Sequence, residues 1–395
     1  MVRVTRKIHN VGQGAFYTES FDCHRGKTFN VVYDCGSCWD GRAKRIDYYN
    51  KKNLSHPFLG IIDKYLTDVQ KQVDILFISH FHHDHINGVK YLLKHTNGRV
   101  KLYMPWLDEN MKLYFFLSNV QDEGGYGEIN DEYLNWLHSL YFGFPENAEK
   151  IEVVAEERDG NSFHQSGKSI QCPEDICPFW LFIPVVYIDP SLKKEVNSFA
   201  NDLRNEIADI NQNNIIDNLK NKWDPIEKVL GNHKKIKKEY ANNLSMMLYS
   251  GPCEYVFYRP YFTTRTMSRI NIPHYDSTQC RACRRRMNFY VEPPACLYVG
   301  DMEQDKAYDE LKKHLKCLLD NVGLLQLSHH GDENPMNRIL TELYPLNAFC
   351  CYGTKNTYHH PGWSTMNDYM QLGINVFPIN EESPSGIEQR IKVCL

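Results

Sequence analysis

The chain has no apolar run long enough to cross a bilayer. Its longest, "FWLFIPVVYI" from Phe179 to Ile188, is half of what a transmembrane helix needs and reads as a buried strand. The start, "MVRVTRKIHNVGQG", carries charge but no apolar core of a secretory signal. No global positive field is present either: the formal net charge is −4, so any contact with nucleic acid must be local. Internal repeats and low-complexity tracts are also missing. These absences argue against a membrane protein, an exported protein and a solenoid. The 13 cysteines, an odd count without an export signal, fit a cytoplasmic and mostly reduced protein.

What the sequence does have is globular. Of its 395 residues 42% are hydrophobic and 13% aromatic, enough for one large core or two modest ones. Residues 1 to 106 alternate strand-like runs ("VRVTRKIH", "TFNVVYDCG", "VDILFISH", "RVKLYMPW") with helical ones ("FLGIIDKYLTDV", "INGVKYLLKH"). Residues 242 to 395 do the same, with strands in "LSMMLYS", "EYVFYRPYF", "ACLYVGD", "GLLQLSHHG", "NAFCCYG" and "INVFPIN", and helices in "DKAYDELKKHLKCLL" and "STMNDYMQLG". Such alternation predicts a layered α/β fold. Residues 107 to 241 read as a variable, mostly helical insertion, with amphipathic spacing in "SLKKEVNSFANDLRNEIADI". That insertion is a candidate docking element for a protein partner.

One stretch carries most of the chemistry. "ISHFHHDHINGV" places His80, His82, His83, Asp84 and His85 in a turn between a strand and a helix. Imidazoles two residues apart in an extended turn can face one ion. Asp84 and His85, opening the next helix, can face a second. Neutral imidazole with carboxylate suits Zn2+, or Mn2+ where oxygen ligands dominate. A surface cluster of titrating histidines would not need the interleaved aspartate or the strand-turn-helix placement. His83 falls outside the pattern and reads as a bystander or a support for the ligands.

Further motifs join this one: "HNVGQGAFY", "VVYDCGS", "LYVGDM", "LSHHGDENP" and "NTYHHPGW". Together they resemble the metallo-β-lactamase-fold hydrolases, and within them the hydrolase domain of bacterial competence DNA-uptake proteins and its stand-alone relatives. The resemblance covers residues 1 to about 106 and 242 to about 380. It implies an αββα sandwich with two divalent metal ions, Zn2+ first and Mn2+ second, at the rim between the sheets.

The same resemblance implies a ligand set. His80, His82 and a bridging Asp301 would hold one metal; Asp84, His85, Asp301 and a histidine of "SHHG" would hold the other. His330 is favoured there over His329 because the ligand sits just before the glycine. His360 falls near the scissile group, and Asp34 positions the histidine turn without ligating. The chain departs from many members in lacking a histidine before the Gly-Asp strand. Asn243 and Ser245 stand in that region and are candidates for substrate contact. Asp84, His329 and His360 are the expected catalytic groups, assisting a metal-bound hydroxide and the leaving oxygen.

Two other patterns have alternative readings. "CPEDIC" (Cys172, Cys177) and "CRAC" (Cys280, Cys283) have chelating spacing for a structural zinc, against free or buried thiols. "CRACRRRMNFY" sets Arg284 and Arg285 beside aromatics, a combination that grips phosphates and stacks on bases, against a solvated loop. The expectation is a two-metal phosphodiesterase acting as a nuclease on DNA or RNA. A small-molecule phosphoesterase or other ester hydrolase is the alternative on the same fold. A metal-binding regulatory subunit with little turnover is the alternative from another class.

Overall fold

The computed structural model describes residues 2–23, 26–38, 56–155, 163–236, 242–253, 262–266, 293–303, 305–333, 339, 342–382 and 386–393. Its strands are β1 (Val2–Ile8), β2 (Phe16–Cys23), β3 (Thr28–Cys35), β4 (Ile75–Phe77), β5 (Val100–Pro105), β6 (Ala148–Ala155), β7 (Phe163–Gln165) and β8 (Ile170–Gln171). They continue with β9 (Trp180–Val185), β10 (Met247–Pro252), β11 (Phe262–Thr266), β12 (Ala295–Tyr298), β13 (Val322–Gln326), β14 (Asn347–Cys351), β15 (Asn375–Ile379) and β16 (Ile387–Val393). Among the described residues they form two sheets, ordered β11-β16-β1-β2-β3-β4-β5-β6-β7 and β15-β14-β13-β12-β10-β9-β8.

The burial pattern gives four layers. Between the sheets lies one apolar cluster that includes Tyr17, Phe77, Phe182, Tyr298 and Phe349. A second cluster covers the outer face of the first sheet with the helices Pro57–Asp68, Glu109–Asp122, Asp131–Phe142, Pro190–Glu206 and Ile215–Asn232. A third covers the second sheet with Asp305–Leu315 and Trp363–Gln371. Apolar residues on both faces of each sheet exclude a half-solvated sheet and require helices outside.

The stretch 107–241, expected to be largely helical, supplies four of those helices and also β6 to β9. β6 pairs parallel with β5, and β9 pairs antiparallel with β10, so this stretch extends both sheets. Its helices do not form a separate lobe: Phe199 meets Tyr114 of Glu109–Asp122 edge-on at 5.0 Å, and Leu192, Val196 and Leu203 join the same buried cluster. No described helix is long and apolar enough to cross a membrane.

The sheets are also joined by a buried polar network. Arg6 of β1 has no exposed surface and sits opposite Glu19 of β2 in register. Its Nε donates to Glu19 Oε1 at 2.8 Å and its Nη1 to Gln389 Oε1 of β16 at 2.5 Å. From the other sheet, Tyr298 donates to Glu19 Oε1 (2.8 Å) and Ser250 to Glu19 Oε2 (2.6 Å).

Candidate metal centre

The site gathers where strands end. β4 runs parallel to β3 and β5, so its last residues emerge beside those of β3, which ends "DC", with "GS" following. Asp34 there accepts from the Ser79 backbone N–H (2.6 Å) and hydroxyl (2.6 Å). It also faces His85 Nδ1 at 2.8 Å. Gly36 is required by proximity: a Cβ at this position would stand 2.2 Å from the Asp84 carbonyl oxygen. His83 points elsewhere, with its Nδ1 3.0 Å from Glu123 Oε1, and ties the histidine turn to the end of the helix Glu109–Asp122.

Two groups of side chains converge. In the first, His80, His82 and Asp301 bring one donor atom each within 4.8 Å of the others; in the second, Asp84, His85 and His330 do the same. Asp301 stands between them. Its Oδ2 is 3.6 Å from His80 Nε2 and 3.6 Å from His330 Nε2, and its Oδ1 is 3.3 Å from His85 Nε2. His330 Nε2 also lies 3.2 Å from Asp84 Oδ2. Asp301 is held from behind, its N–H donating to Ser245 Oγ at 3.0 Å.

Imidazole and carboxylate in this set fit divalent cations. His85 Nε2, His330 Nε2 and Asp301 Oδ1 are buried and have no hydrogen-bond partner, an arrangement that costs stability unless something positive lies between them. The electrostatics agree. Burial alone would push the Asp301 carboxyl up, yet the His330, His85 and His80 charges hold it well below the usual range. Burial likewise works against charge on His85, but Asp301, Asp34 and Asp84 raise it well above an ordinary imidazole.

A third group forms at the rim. His329, Asp332 and His360 also lie within ligand spacing of one another. His329 Nδ1 contacts Glu303 and sits 3.7 Å from Asp332 Oδ2. Burial opposes its charge, but the Asp332 and Glu303 carboxylates beside it raise it to about 10. His360 goes the other way: burial, then the His330 and His329 charges, lower it to about 4.

The remaining candidates fall outside this cluster. Asn243 and Ser245 are 1% and 0% exposed and accept from the backbone N–H groups of Glu303 and Asp301, so they brace the loop that carries Asp301. Cys172 and Cys177 are buried free thiols in the inter-sheet core, and burial raises both. Cys280, Cys283, Arg284 and Arg285 lie outside the described residues. Glu303, Asp332 and Gln13 contact histidines of the site though the spacing did not single them out, and "VGQG" and "SHHGDENP" contain two of them.

Together the layered sandwich and the strand-end cluster define the metallo-β-lactamase fold. Residues 25–170, which include the histidine turn, match the family model described as "Metallo-beta-lactamase superfamily". No curated protein sequence matches the chain. Among solved structures, the chain is similar to the metallo-β-lactamase-fold protein YhfI from Bacillus subtilis at 10% identity, covering 99% of this chain and 100% of that one, with a TM-score of 0.42. It is also similar to a long-form RNase Z from yeast, at 8% identity and a TM-score of 0.30. That match covers 82% of this chain and only 32% of the yeast chain. The Rm3 metallo-β-lactamase matches at 9% identity over 86% of this chain and 77% of its own, with a TM-score of 0.27.

Proposed function

We propose that the protein is a hydrolase that depends on two divalent cations and cleaves phosphodiesters, with DNA or RNA as its substrate. The observation that carries this reading is Asp301, one buried carboxylate facing His80 on one side and His85 and His330 on the other. His80, His82 and Asp301 would hold one ion; Asp84, His85, His330 and Asp301 would hold the other. Four imidazoles and two carboxylates suit Zn2+ first and Mn2+ second. Bound there, such ions supply Lewis acidity and lower the pKa of water toward neutrality.

The chain's own residues prepare that chemistry. Asp34 accepts from His85 Nδ1 and the Cys351 carbonyl from His330 Nδ1 (2.8 Å), which turns both Nε2 atoms toward Asp301. Glu303 and Asp332 hold His329 charged at the rim, where it can meet phosphate oxygens. His360 stays neutral beside it and can donate a hydrogen bond.

Two features favour a nucleic acid over a small ester. One is the motif resemblance to the competence branch. The other is a pair of exposed aromatics flanking His360: Tyr358 is 70% and Trp363 76% exposed, and Tyr358 stacks on His360 at 5.7 Å. Bases stack on such rings without sequence preference. Trp363→Ala should weaken binding of a single-stranded oligonucleotide about tenfold, read by fluorescence anisotropy.

The test of function is hydrolysis of single- and double-stranded DNA, RNA and bis-p-nitrophenyl phosphate by chelated protein, before and after Zn2+ or Mn2+ is restored. Activity should return only with metal and be missing from His80→Ala. Equal activity in chelated protein sinks the reading. Hydrolysis of the small ester alone selects the small-molecule phosphoesterase.

A further inference from the structure

Four imidazoles at the site, those of His80, His85, His330 and His360, have one ring nitrogen tied to a partner whose chemistry decides where the ring hydrogen lies. Asp34 Oδ2 and the Cys351 carbonyl can only accept, so His85 and His330 carry hydrogen on Nδ1. Ser79 Oγ gives its hydrogen to Asp34 Oδ2 at 2.6 Å and therefore accepts from His80 Nδ1 at 2.9 Å. All three rings thus direct Nε2 at Asp301.

His360 is wired the opposite way. Its Nδ1 lies 3.3 Å from Nε2 of Gln13, an amide nitrogen that can only donate. The amide orientation is itself determined, because Gln13 Oε1 accepts from the Gly353 N–H at 3.3 Å. Nδ1 of His360 must then accept, and its hydrogen belongs on Nε2. That nitrogen faces Asp332 Oδ1 at 3.7 Å, beyond hydrogen-bond reach.

The surroundings hold this arrangement firmly. Gln13 is 5% exposed, and its own carbonyl accepts from the Cys38 N–H. Asn356 grips the His360 backbone from both sides, accepting from its N–H (3.0 Å) and donating to its carbonyl (2.8 Å). The same wiring argues against a third cation at His329, Asp332 and His360, since the His360 atom that would ligate bears a hydrogen.

We propose that Gln13 is a positioning residue that holds His360 in the Nε2–H tautomer, so that this N–H donates to the substrate oxygen that gains charge as the ester breaks. The donation rests on the hydrolase reading above; the tautomer does not. Gln13→Glu replaces the donor with an acceptor and should move the ring hydrogen to Nδ1 or add a second proton. Gln13→Met removes the polar partner altogether.

The deciding measurement is the 15N shift pair of His360 in the zinc-loaded full chain, assigned by its disappearance in His360→Gln. The wild-type ring should show a protonated Nε2 and a bare Nδ1, and Gln13→Glu should lose that signature. On bis-p-nitrophenyl phosphate, both Gln13 variants should lose about tenfold or more in kcat while KM changes less than about twofold. A wild-type ring protonated at Nδ1 overturns the proposal. So does an Nε2–H signature that persists in both Gln13 variants, or an unchanged kcat once the signature is lost. If the wild type shows no metal-dependent hydrolysis, the hydrolase reading falls and the donation with it, while the shifts still decide what Gln13 does to the ring.

Discussion

Asp301→Ala is expected to lower kcat/KM on a phosphodiester by roughly a thousandfold or more and to reduce bound metal from two equivalents to fewer than two. The size follows from position. Among the described residues, Asp301 is the one side chain whose oxygens reach donors of both groups, at 3.3 Å to His85 and 3.6 Å to His80 and His330. No neighbour can replace it, because Asp84 faces only the second group and Asp34 is occupied by Ser79 and His85. Asp301→Asn, of the same shape, should fail in the same way, which separates loss of charge from loss of packing.

Asp34→Asn is the graded comparison. Its amide nitrogen would meet the His85 Nδ1–H as a second donor, so the His85 ring would have to shed that hydrogen to Nε2 and lose its ligating lone pair. A 10–100-fold loss of metal affinity is the usual scale for such supports, with the second ion affected before the first. Metal content of desalted protein, alongside the thermal midpoint of the chelated form, checks both variants. Two tightly bound equivalents in Asp301→Asn would remove the shared-ligand arrangement.

The parts of this site that the sequence reveals are those whose geometry is local. His80, His82, Asp84 and His85 lie within six positions, and a strand feeding a turn is enough to place them on two sides of one point. Asp301 and His330 needed the resemblance, since nothing within "LYVGDM" or "SHHGDENP" tells either residue that it meets the histidine turn. Gln13, Glu303 and Asp332 were harder still. Each is an ordinary polar residue until β1, β12 and β13 bring their loops to one end of the sheets. The fold followed the same rule. β4, β9 and β12 are apolar on both faces and stand out, whereas β2 ("FYTESFDC") and β6 ("AEKIEVVA") carry charges that hide them. In β2 the hidden charge is Glu19, buried with Arg6 across from it as its countercharge. A pattern of hydrophobicity cannot see a salt bridge inside a core.

Breaking that pair should carry a large stability cost. Arg6→Met is expected to destabilise the fold by about 3–5 kcal/mol, because it leaves the Glu19 carboxylate buried with Ser250 and Tyr298 as donors and no countercharge. For a chain of this size that corresponds to a fall of roughly 4–6 °C in the thermal midpoint. Arg6→Met with Glu19→Gln should be less damaged than Arg6→Met alone, since a neutral amide still accepts from Tyr298 and has no charge to desolvate. Calorimetry of wild type, both single variants and the double variant measures this. A double variant no more stable than Arg6→Met would mean that the Glu19 charge is not what Arg6 holds in the core.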